Sequence, residues 1–148
     1  MTIHELLAVI PPPDDPINPG SEAAWIEVQE QLGMQLPTDL RDFGMHYGEG
    51  FFWGGEITVW SPFAKSYTKN VEYSCELLRR FPCPYSVYPD SPGLYPWGRH
   101  DNGGQMMWLT EGDPDNWPCI LHPGRSDEFW RVELSMTTFL AKSFTNEI

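Results

Sequence analysis

Residues 95–117 read YPWGRHDNGGQMMWLTEGDPDNW, and this stretch decides the fold. It spells a strand, a tight Gly-rich turn, a second strand, and an acidic loop that closes on a tryptophan. Asp101-Asn102-Gly103-Gly104 supplies residues that accept positive φ, as a hairpin turn of the primed type requires. Gln105 to Thr110 is too short for a helix and is bounded by turn residues, which predicts a mostly buried strand. A hairpin at the centre implies a sheet, and the flanking segments have to cover it.

Downstream, Pro118-Cys119-Ile120-Leu121 reads as a short buried strand and His122 to Asp127 as a turn. Glu128 to Leu134 then alternates, which predicts a strand with Trp130, Val132 and Leu134 facing inward. Ser135 caps a closing helix whose Met136, Phe139, Leu140 and Phe144 share a face. Upstream, Phe51-Phe52-Trp53 and Glu56 to Trp60 flank Gly54-Gly55 as a hairpin or bulged strand. Lys69 to Phe81 is a plausible helix, with Val71, Cys75 and Leu78 on one side, and Tyr85 to Pro96 is irregular.

Nearer the N-terminus, Ser21 caps a helix to Leu32 that buries Trp25, Val28 and Leu32 and ends at Gly33. Pro37 stands in the first turn of the next helix, which buries Leu40, Phe43 and Tyr47 and closes at Gly48. Gly44 inside that helix points to a close packing contact. Thr2 to Val9 fits a short helix with Ile3, Leu6 and Leu7 on one face, and Pro11 to Gly20 is a proline-rich loop. The expected organisation is a helix and Pro-rich loop over residues 1–20 and one domain over 21–148. Its class is α+β, a largely antiparallel twisted sheet with helices at the N- and C-terminal ends.

Composition narrows the function. The 148 residues carry 9 basic and 21 acidic side chains, a net charge of −12, which repels nucleic acid and anionic membrane and steers cationic partners inward. The same acidity also serves solubility in a chain with 7 Trp, 8 Phe and 6 Tyr. Cys75, Cys83 and Cys119 are odd in number and lack CxxC spacing, which argues against a disulfide framework and for a reducing compartment. The N-terminus lacks a signal-peptide pattern and no segment has the ~18 apolar residues of a membrane span, so a cytoplasmic location is expected.

The order of these features resembles the SUKH superfamily, typified by a fungal cell-wall synthesis regulator and by bacterial toxin-immunity proteins. Leu36-Pro37 opens a helix, Phe43 sits within it and Tyr47-Gly48 closes it; Gly98 to Trp108 forms the family's strand-turn-strand with Asp101-Asn102-Gly103 as the turn. Thr138-Phe139-Leu140 matches its closing helix, so the resemblance covers about residues 21 to 148. It implies an α+β fold and a non-catalytic protein that binds and neutralises a cognate toxin, often a nuclease or deaminase, or else a regulatory interaction module.

Two clusters invite chemistry. His100-Asp101 suits metal or acid–base work, but His4, His46 and His122 give it no ligand spacing, and adjacent strand residues point to opposite faces. A hydrolase built on that pair is the third reading, set against a turn role for Asp101 and Asn102. Glu111, Asp113 and Asp115 fail as a calcium loop because the twelfth position from Asp113 is Gly124. With Asp101 nearby, and with Trp108 or Trp117 partly exposed, they would instead mimic a phosphate track for a basic toxin site. The expected partner-binding set is therefore Asp101, Trp108, Glu111, Asp113, Asp115 and Trp117. The reading assigns no catalytic residue, no metal and no cofactor; it leaves the oligomeric state open.

Overall fold

The structure, a computed structural model, describes residues 2–124 and 127–145. Among these, the helices are α1 (Thr2–Val9), α2 (Glu22–Leu32), α3 (Thr38–Tyr47), α4 (Tyr67–Leu78) and α5 (Met136–Phe144). The strands are β1 (Gly50–Phe52), β2 (Ile57–Val59), β3 (Leu94–His100), β4 (Gln105–Leu109), β5 (Cys119–His122) and β6 (Trp130–Val132). They form one sheet in the order β1-β2-β3-β4-β5-β6, each pair antiparallel, so every strand lies beside its neighbour in sequence. The class is α+β, as the hairpin and its flanks foretold. None of the described helices is long and apolar enough to cross a membrane.

All five residues of β4 are buried. Successive strand residues point to opposite faces, so both faces of this strand are covered, and its sequence reads as an unbroken run where a half-exposed strand would alternate. The core around it is aromatic: Trp97 lies 6.3 Å from both Trp108 and Phe139, and Tyr95 lies 5.9 Å from Trp108. Local signals set the helix ends. Ser21 accepts the amide hydrogen of Ala24 and Ser135 that of Thr138, which satisfies first-turn donors that the helix itself leaves free. Gly44 meets the ring of Phe63, where a Cβ would come within 2.7 Å, and this is the close contact that its place in α3 implied.

The segment that holds α1 and the proline-rich loop shares this core. Ile3 and Leu6 are buried and α1 lies against α5 and α3. The Tyr47 hydroxyl donates to the Ile10 carbonyl at 2.6 Å, and Ile17 forms a bridge with Gly48. The proline-rich loop is thereby laid along the start of the sheet.

Four local expectations differ from the structure. The β3–β4 turn is not of the primed two-residue kind. Gly103 alone takes a positive φ, +96°, and the His100 carbonyl accepts from Gly103 while His100 donates to Gly104, the pattern of a three-residue loop. β3 begins at Leu94 and so contains Pro96, which a strand tolerates here because the register shifts between Pro96 and Gly98. Pro37 stands one place before α3, not in its first turn. Trp130 is 52% exposed, because β6 is the three-residue last strand of the sheet, where alternation alone does not bring a covering layer. The turn expected over His122–Asp127 passes through Arg125 and Ser126, and the expected domain ends at 146–148; those positions lie outside the described residues.

Candidate functional site

The acidic loop turns inward. Trp108 is 1% exposed and Trp117 7% exposed, with ring centres 6.0 Å apart, so neither can anchor a partner. The Trp117 indole N–H is spent on the Gly112 carbonyl at 3.1 Å. Asp115 places Oδ1 at the N-terminus of α3, accepting the Thr38 amide at 2.8 Å and the Thr38 hydroxyl at 3.0 Å. Pro37 has no side chain to cap that helix, and Asp115 does so from 77 positions away. Asp113 accepts the Asp115 amide at 3.0 Å and so shapes the single 3-10 turn Pro114–Asn116. Glu111 pairs with Arg131 at 3.1 Å, and Arg131 also pairs with Glu133.

Asp101 sits apart from these groups. It lies in the β3–β4 turn, whereas Glu111 follows the far end of β4, so about 17 Å of strand separates the two ends. The expected binding set is thus divided between two aromatic core residues, three structural carboxylates and one exposed turn aspartate. Asp115→Ala should cost about 1 kcal/mol of stability, read as a lower denaturation midpoint, while Asp115→Asn, which keeps an acceptor oxygen, should cost less. Equal stability of Asp115→Ala and the parent would mean that this cap contributes nothing.

His100 and Asn102 serve the turn, whereas Asp101 contributes its backbone amide, which donates to the Glu56 carbonyl at 2.9 Å. His100 Nδ1 accepts the Asn102 amide at 3.2 Å, and Asn102 Oδ1 accepts the Gly104 amide at 2.9 Å. His100 Nε2 lies 3.9 Å from the carboxylate of Glu56, which immediately precedes the neighbouring strand β2. Among the described residues no group of three or more His, Cys, Asp or Glu is placed to hold a metal ion. Burial pushes the Cys75 thiol up to about 11 and the Cys119 thiol well above its ordinary value, so both are held as thiols rather than thiolates.

A different surface carries exposed aromatic residues. Between the Pro11–Gly20 loop and the β1–β2 hairpin lies a groove of about 400 Å³. Along it Ile17 is 57% exposed, Phe51 56% and Trp53 50%. Trp53 stacks on Phe144 with ring centres 5.2 Å apart and planes at 12°, which leaves its other face toward solvent. Its φ of +57° is uncommon for a bulky residue and turns the ring outward just before Gly54-Gly55. Asp15 and Glu49 supply the charge in the groove, and none of its lining residues is Lys or Arg. Burial raises the Glu49 carboxyl above its ordinary value, partly offset by a hydrogen bond from the Ser61 backbone. Tyr47, also in the lining, is pushed up to about 12 by burial and stays a hydroxyl donor to Ile10.

Sequence reasoning read Phe51 and Trp53 as hairpin flanks. One signal could have found them: a strand buries alternate positions, so three consecutive aromatics, Phe51-Phe52-Trp53, cannot all face the core. Only Phe52 does.

One protein family, described as SUKH_6, SMI1-KNR4 cell-wall, has a model that matches residues 22–140 of the chain. No curated protein matches it.

Proposed function

From the premise that the chain belongs to the SUKH (SMI1-KNR4) superfamily, we propose that it is a non-catalytic binding protein that neutralises a cognate basic toxin domain by covering its active site. The observation that carries this reading is the solvent-facing aromatic groove with two carboxylates and no basic side chain, on a protein of net charge −12. Exposed aromatic anchors beside charge suit a protein interface, and net acidity accelerates encounter with a cationic partner. Nuclease and deaminase domains are the natural class, since a surface that holds nucleic acid is itself basic. The turn role of His100 and the location of Asp101 support a binder over a hydrolase. The family description, with its cell-wall term, favours a second reading, a regulatory interaction module that binds its partner without silencing an enzyme.

The test is capture of the partner by the tagged full chain from cells that make both proteins. One stoichiometric basic partner is expected, catalytically silent while bound. Its association rate should fall at least about tenfold between low and high salt. Several substoichiometric partners that keep their activities would decide for the regulatory module, and no partner at all would overturn the binding reading.

A further inference from the structure

We infer that the groove between the Pro-rich loop and the β1–β2 hairpin is the docking site for an arginine-bearing segment of the partner protein, the guanidinium lying between the open face of Trp53 and the Glu49 carboxylate. The inference deepens the binding reading above and rests on it.

Three observations converge on that occupant. First, exposed apolar side chains are concentrated here: Ile17, Phe51 and Trp53 line one groove, whereas Ile26, Tyr73 and Trp130 line no part of it. Scattered exposed hydrophobic residues are ordinary, but a contiguous patch beside carboxylates is not. Second, Glu49 is half-buried and accepts from the Ser61 backbone, yet no ion pair holds it among the described residues. A partly desolvated carboxylate without a cation is a place where an incoming cation gains more than it would at a solvated one. Third, Trp53 is fixed on one face by Phe144 and open on the other, the arrangement a cation needs to lie over an indole.

Arginine fits better than lysine. Its planar guanidinium is weakly hydrated, stacks on an aromatic ring and still donates sideways to a carboxylate, whereas an ammonium is a compact, strongly hydrated point charge. Phe51 and Ile17 then receive apolar residues on either side of that arginine, and Asp15 at the exposed rim contributes to steering.

Glu49→Gln separates binding from folding. Burial raises the folded-state value of this carboxyl above the ordinary 4.5, so its charged form costs stability above the raised value and the cost disappears below about 4.5. Glutamine keeps an acceptor for Ser61 without that cost, so the variant should be at least as stable as the parent at neutral pH. It should nevertheless bind less well.

The experiment titrates the full chain with acetyl-Leu-Arg-Leu-amide and follows the Trp53 indole N–H by two-dimensional NMR, the signal being assigned from a Trp53→Phe variant. Saturable shifts in the millimolar range are expected. Affinity should fall at least about tenfold with citrulline in place of arginine, or with the peptide on Glu49→Gln, and severalfold with lysine. No movement of the Trp53 signal, or equal movement with citrulline, would overturn the inference. Guanidinium chloride binding as tightly as the peptide would also overturn it, making the groove a small-cation site. Failure of the groove is distinguishable from failure of the wider reading. If Glu49→Gln and Phe51→Ala proteins hold a captured partner as tightly as the parent does, the groove is wrong and the binding protein stands. If the parent captures nothing, the binding reading falls while the peptide titration still decides the groove.

Discussion

Trp108→Ala is expected to remove about 3–5 kcal/mol of folding stability, which for a chain of this length lowers Tm by roughly 10 °C. The ring is 1% exposed and packs against Tyr95, Trp97 and Trp117, so truncation opens a cavity in the most aromatic part of the core. Both faces of β4 are covered, and the walls have little freedom to collapse into the gap. Trp53→Ala makes the contrast. Half of its surface faces solvent and it rests on Phe144 alone among the rings, so the loss should stay within about 1 kcal/mol and fall on partner affinity instead. Thermal melts and partner titrations of the two variants should therefore give opposite profiles. A stable Trp108→Ala protein with lost affinity would return Trp108 to the surface.

The second large effect belongs to Asp39. It is the second residue of α3, but its carboxylate serves another helix: Oδ2 accepts the Thr137 amide at 2.9 Å and Oδ1 accepts the Thr137 hydroxyl. A buried carboxylate at the positive end of α5 combines charge-assisted hydrogen bonds with a favourable dipole. Asp39→Ala leaves buried donors without their acceptor and should cost about 2–4 kcal/mol. Thr137→Ala alone should cost less. In a double-mutant cycle the two changes should couple by at least about 1 kcal/mol, measured by chemical denaturation. Additive losses would show that the carboxylate and Thr137 act independently.

These two residues also mark where the sequence is legible and where it is not. Ser21, Ser135 and Gly33 act on backbone groups within four positions, so their roles can be read from short spacing. The hairpin around Asn102-Gly103 and the apolar run Met106-Met107-Trp108-Leu109 of β4 are local in the same way, and with the caps they specify an α+β chain. The SUKH pattern could be recognised because its motifs are of this local kind. Asp115 acts on Thr38 and Asp39 on Thr137, at separations of 77 and 98, and no spacing rule reaches that far. The acids of the 111–115 loop therefore looked like a free charged face when two of them are helix and turn caps. Trp108 and Trp117 failed as anchors for a related reason: whether a tryptophan beside a charged loop is covered depends on what packs over it. Trp130 shows the converse, since alternation marks a face of a strand but not whether anything lies upon that face.

The carboxylates that finish the helices also bear on how the chain acquires its shape. In the sheet each strand finds its mate in the next one along the chain, and every pairing but β2–β3, whose strands are separated by residues 60–93 with α4 among them, closes a short loop. The helices are joined the other way: Glu5 meets the Thr138 hydroxyl and Asp39 meets Thr137, both in α5. A ribosome releases α1 and α3 long before it has made α5, and during that interval their acids face water. The β1–β2 hairpin is thus free to form before α5 is made, whereas β5, β6 and α5 follow one another closely and the contacts of α1 and α3 with α5 close last. Until that moment the aromatic core is open on one side, and a nascent chain with so many tryptophans is then most exposed to chaperones and to aggregation.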